Sequence, residues 1–160
     1  MRLRLTHDQL ERFATGLAAT PERWRHLVPD SAGTRMYELI WSDEQVNAWA
    51  ICWQEDNDTG WHDHDESAGG IAVISGHVRE ERLVLGAGPR VRRVGPGETF
   101  IVPSTAIHRV LHDGGEPAVT IHAYSPPLRR MGAYRVGPDG ELERESVPSE
   151  IELQAQPAAA

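Results

Sequence analysis

Two histidines one residue apart, in Trp61-His62-Asp63-His64, carry the clearest chemical signal in the chain. Side chains alternate across an extended strand, so His62 and His64 turn their imidazoles to one side. A third imidazole, His108, ends the stretch Gly97-Glu98-Thr99-Phe100-Ile101-Val102-Pro103-Ser104-Thr105-Ala106-Ile107-His108, in which turn residues bracket a short apolar run. Three imidazoles on one face suit a divalent metal and leave coordination positions open for chemistry. A His-x-His pair taken alone is as often surface histidine. Here it follows the turn Asp56-Asn57-Asp58-Thr59-Gly60 and precedes the apolar run Gly69 to Ile74, inside a region that reads as β throughout. His62, His64 and His108 are the metal-ligand candidates.

The elements that must position them follow from periodicity and punctuation. Residues 1–30 read as helical: Thr6 and Gln9 have capping-box spacing, and Leu10, Phe13 and Leu17 form one apolar stripe. Thr20-Pro21 signals a second short helix running to about Leu27. From Thr34 the pattern changes. Val46 to Trp53 is apolar and aromatic like a core strand, and further strands are expected near 34–42, 70–75, 77–85, 98–102, 107–112 and 118–124. Turns separate them at Gly86-Ala87-Gly88-Pro89, Gly95-Pro96-Gly97 and Asp113-Gly114-Gly115. Many short strands at close spacing predict a mainly β fold, a small barrel or sandwich behind short N-terminal helices. The tail from Gln154 to Ala160 has neither an apolar pattern nor caps, and it is expected to fray.

A chain of 160 residues suits one domain, here a helical segment 1–30, a β-barrel 34–136 and a flexible tail 150–160. The single cysteine, Cys52, cannot make an intramolecular disulfide, and neither a signal-peptide pattern nor a bilayer-spanning run is present. A cytoplasmic protein is the expectation. The net charge of −8 argues against nucleic acid and against anionic membranes as partners. Oligomeric state is left open, and a monomer is compatible with all of this.

The two histidine units resemble the cupin superfamily: His62, His64 and Gly76 match its first motif, and Gly97, Pro103 and His108 its second. Two departures matter. The Glu that usually ligates metal four or five positions after the second His is Ala68 or Gly69 here, and the Asn that often follows the third His is His112. Three neutral ligands leave the metal's charge uncompensated, which invites an anionic substrate. Among cupins the chain resembles the cysteine dioxygenase type I family, in its arginine-bearing bacterial branch. The matching stretches, between Thr34 and Tyr134, are Thr34-Arg35, Ile51-Cys52-Trp53, His62-Asp63-His64, His108-Arg109-Val110, Glu116-Pro117-Ala118-Val119 and His122-Ala123-Tyr124-Ser125-Pro126-Pro127.

The resemblance implies an iron(II) thiol dioxygenase that adds both atoms of O2 to the sulfur of L-cysteine, giving cysteine sulfinic acid. The alternatives are a dioxygenase for 3-mercaptopropionate or another small thiol acid, and a non-catalytic metal-binding sensor. By resemblance, Arg35 grips the substrate carboxylate, Met131 and Trp53 line the substrate site, and Tyr124 is the acid/base or hydrogen-bond donor. Thr120, His122 and Tyr124 lie two apart, so on a strand they share one face and can form a relay, with Thr120 in place of the family's Ser. The family's crosslinking Cys, in its animal members, falls at Gly69, so no thioether to Tyr124 is expected, and its pocket Tyr falls at Gly33. Cys52 reads as inert packing. His7, His26, His77 and His112 are given no role.

Overall fold

The computed structural model describes residues 3–27 and 36–149. Gly33, Thr34, Arg35, the beginning of the expected 34–42 strand and the tail from 150 lie outside the described residues. Helix α1, His7–Ala18, starts at the expected capping box: Thr6 accepts from the Gln9 backbone, and the Gln9 side chain accepts from the Thr6 N–H. The strands are β1 Met36–Ser42, β2 Asn47–Trp53, β3 His62–Asp63, β4 Ala68–Ser75, β5 Val78–Arg82, β6 Arg90–Val94, β7 Thr99–Val102, β8 His108–His112, β9 Ala118–Ser125, β10 Arg130–Val136 and β11 Leu142–Pro148. They form two antiparallel sheets, ordered β1-β2-β9-β4-β7 and β11-β10-β3-β8-β5-β6.

Two apolar layers explain why β2 and β9 are buried along their whole length. One face of β2 sends Trp49, Ile51 and Trp53 between the sheets, where they meet Ile71, Val78, Val110 and Met131. Its other face, Ala48 and Ala50, packs with Ala72, Ile121 and Ala123 under Leu10, Ala14 and Leu17 of α1. Small residues there let the helix approach closely. A Cβ on Gly70 would stand 3.2 Å from the Leu10 side chain. Strand β9 therefore keeps one face for α1 and gives the other, Thr120, His122 and Tyr124, to the interior.

Several elements differ from expectation. The second helix shrinks to one 3-10 turn, Pro21–Arg23, because the Thr20 hydroxyl donates back to the Gly16 carbonyl and caps nothing. The 77–85 strand ends at Arg82, and the exposed Leu83–Leu85 run lies in the turn that follows. Strands β6, β10 and β11 were not anticipated, since their alternation is masked by arginines and glutamates on exposed faces. Strand β11 pairs with β10 beyond residue 136, where the sequence pattern of the barrel stops. Among the described residues, no helix is long and apolar enough to cross a membrane.

Candidate metal centre

The short extended segment at β3, paired between β10 and β8, brings the first two imidazoles inward, and antiparallel pairing of His62 with His108 brings the third. The Nε2 atoms of His62 and His108 stand 3.2 and 3.3 Å from Nε2 of His64. All three rings are buried. Burial pushes His64 and His108 well below the ordinary histidine value, and the neighbouring imidazoles add to the effect. Both rings are therefore neutral. The Nδ1 of His62 donates to the Gly60 carbonyl at 3.0 Å, and that of His108 to the Glu80 carboxylate at 2.8 Å. A carbonyl and a carboxylate only accept, so Nε2 of His108, and of His62 in the neutral form that binds a metal, carries a lone pair.

That leaves two lone pairs aimed at His64 Nε2, which has at most one proton to offer. The Nδ1 of His64 is itself buried without a hydrogen-bond partner among the described residues. A cation satisfies all three nitrogens at once. Adjacent ligands at bonds of about 2.1 Å stand about 3.0–3.4 Å apart in octahedral or tetrahedral coordination, and the observed separations fall in that interval. The donor set thus fits a divalent metal, and these are the residues that could hold one.

Beside the histidines lies a line of hydrogen bonds on β9. Trp53 Nε1 donates to Thr120 Oγ1 at 2.8 Å, Thr120 Oγ1 meets His122 Nε2 at 2.9 Å, and His122 Nδ1 meets the Tyr124 hydroxyl at 3.2 Å. The Tyr124 ring stands edge-on to His64 at 4.8 Å, and Trp53 stacks on His122 at 6.0 Å. A Cβ on Gly69 would lie 3.3 Å from both the His64 and Tyr124 rings, so a side chain there would touch the tyrosine. Met131 is buried on β10 in the same interior cluster as Tyr124. Arg35 lies outside the described residues.

Gly76, the end of the first histidine motif, has φ +66, and a Cβ there would fall 2.6 Å from the Ala118 Cα. Only glycine fits where β4 turns against β9. Two of the histidines assigned no role are engaged elsewhere: His26 with Glu38, and His112 with the Glu116 carbonyl.

Sequence reasoning missed two supports of the centre. Glu80, only 2% exposed, binds His108. Its signal was the alternation Val78, Glu80, Arg82, which sets a carboxylate on the same face as a core valine. Asp63, between the two first ligands, faces the other way. Its carboxylate accepts from the Gly132 N–H at 3.0 Å, from Arg144 at 2.8 and 3.0 Å, and from the Tyr134 hydroxyl. Burial raises the Asp63 carboxyl, but these donors outweigh it and hold the group well below the usual carboxylate range.

Fold and site together define a cupin barrel with a three-histidine cluster inside it. A Klebsiella pneumoniae protein described as having a double-stranded β-helix domain superposes at TM-score 0.55, over 64% of this chain and 80% of its own, with 18% identity. The family model for cysteine dioxygenase type I matches residues 7–136, and the chain belongs to that family. Cysteine dioxygenase type 1 of Danio rerio is 31% identical over 100 residues, which cover 56% of this chain and 50% of the relative. The Bos taurus protein of the same name is 27% identical over the same coverage. The chain spans about half the length of these relatives.

Proposed function

We propose that the protein is a non-haem iron(II) thiol dioxygenase that converts L-cysteine and O2 to cysteine sulfinic acid. The observation that carries this reading is the contact between the two halves of the site. The hydrogen-bonded line ending at Tyr124 runs directly against His64, one of the three converging imidazoles. A plain metal-binding module has no need of that line.

An iron(II) ion held by His62, His64 and His108 would supply the activation of a thiolate together with dioxygen. The chain's own residues do the rest. An indole N–H can only donate, so Thr120 Oγ1 accepts from Trp53. The Thr120 proton then goes to His122 Nε2, since among the described residues no other acceptor meets this buried hydroxyl. His122 Nδ1 in turn donates to the Tyr124 oxygen. The phenolic proton is thereby held at that oxygen and directed away from His122, and the phenol is the acid or hydrogen-bond donor of the reaction. Packing by Trp49 and Met131 keeps water from this face. Arg35 is proposed, on resemblance, to take the substrate carboxylate, for which a guanidinium fork is suited.

The test is oxygen consumption by iron-loaded protein over a panel of thiols, with the product identified by mass. Cysteine sulfinate as the favoured product supports the reading. A higher kcat/KM for 3-mercaptopropionate than for cysteine reassigns the substrate. No oxygen uptake with any small thiol acid overturns the enzyme.

A further inference from the structure

We propose that Glu80 is the positioning residue of the metal centre, the carboxylate that orients His108 from behind; this rests on His108 being a metal ligand. Glu80 sits on β5 with one neighbour strand, β8, carrying His108 and the other, β6, carrying Arg92. Its Oε2 accepts from His108 Nδ1 at 2.8 Å. Arg82 Nη2 binds both of its oxygens, at 3.0 and 2.9 Å, and Arg92 Nε binds Oε1 at 3.1 Å. Arg82 also reaches the Ile101 carbonyl of β7, and the Arg92 guanidinium lies 4.4 Å over the Phe100 ring. Both arginines are thus tied to the opposite sheet. The carboxylate they hold has no freedom to rotate away from His108.

The three ligands differ in how they are held. His62 leans on a backbone carbonyl, Gly60, which substitution cannot remove. Among the described residues, His64 Nδ1 has no hydrogen-bond partner. His108 is oriented by a side chain, and that side chain is nearly as buried as the ligand itself, at 2% against 0% exposure. A carboxylate so placed fixes the Nδ1–H tautomer and leaves Nε2 free to bind. The chain lacks a carboxylate at Ala68 and Gly69 beside the first two ligands, and Glu80 provides one a hydrogen bond further out. Because Arg82 and Arg92 offset its charge, its contribution is chiefly one of geometry.

The test uses the full chain with cobalt(II) as probe and a chromophoric chelator as competitor. Glu80→Ala is expected to weaken cobalt binding by about 10- to 100-fold, and Glu80→Gln, which keeps an acceptor, by less. The apo variant should retain the wild-type circular dichroism spectrum. Cobalt affinity within twofold of wild type in a folded Glu80→Ala protein overturns the proposal and leaves the metal centre standing. Failure of the wild type to bind cobalt overturns both. A second measurement needs no variant: long-range proton–nitrogen NMR of the wild-type apoprotein should find His108 protonated at Nδ1. An Nε2–H tautomer there would overturn the proposal even if the Glu80 variants do not fold.

Discussion

Tyr124 receives a hydrogen bond from His122, and behind His122 stand Thr120 and Trp53, each fixing the next in its donor or acceptor role. The phenol is therefore oriented by residues that do not share its contact with His64. Tyr124→Phe removes the proton and little else. We expect kcat to fall about 10²- to 10⁴-fold, the range for loss of a general acid or base, with metal content unchanged by atomic absorption. Thr120→Val breaks the line two bonds earlier and leaves a buried His122 nitrogen without its partner. A smaller loss follows, about tenfold in kcat with KM little changed, which steady-state kinetics on the loaded enzyme would read. The sequence disclosed these residues through the family resemblance, and their alternation on one strand put them on a shared face. Spacing could not disclose that the Trp53 indole joins them, since that contact spans two strands.

At the scale of elements, β3 contributes only two residues, and its position depends on what grips Asp63 from outside. The grip comes from Gly132 and Tyr134 of β10 and from Arg144 of β11, which lies past the residues matched by the family model. Arg144→Ala leaves a buried carboxylate short of two hydrogen bonds. Destabilisation by about 1–3 kcal/mol is expected, allowing for the partial exposure of the arginine, and urea unfolding would measure it. The β1–β2 turn is tied by Asp43 in the same manner. Its Oδ1 accepts from the Gln45 and Val46 N–H groups, and Oδ2 from the Trp41 indole. Slight burial raises the Asp43 carboxyl, while the Trp41 and backbone hydrogen bonds prevail and lower it. A depressed carboxyl stabilises the fold above its unfolded value of about 3.9 and loses that contribution as pH falls through the folded value. The Tm gap between wild type and Asp43→Ala should accordingly be constant above about pH 5 and narrow below about pH 4. Helix α1 was legible because its cap and stripe are local. Strands β6, β10 and β11 were not, because their pairing partners determine them and their exposed faces carry charge.

In the whole molecule, two sheets enclose the histidine cluster and α1 covers the outer face of one of them, so the metal centre and the core share residues such as Tyr124 and Met131. Metal binding at this cluster would then be coupled to folding. Loading with metal at about a hundredfold over Kd should raise Tm by about 5–10 °C, and a chelator should reverse the shift in scanning calorimetry. The barrel class and the three candidate ligands were readable because His62, His64, Gly76, Gly97 and His108 carry the cupin resemblance in their spacing. The roles of the two supports, Glu80 and Asp63, were hidden, because Glu80 acts on His108 and Asp63 is gripped by Arg144, each distant in sequence. The claim that both oxygen atoms of O2 reach the thiol sulfur is tested most directly by turnover of cysteine under 18O2 in unlabelled water. The account predicts cysteine sulfinate with both sulfinate oxygens labelled. A product carrying one labelled oxygen or none, or the disulfide alone, would contradict it.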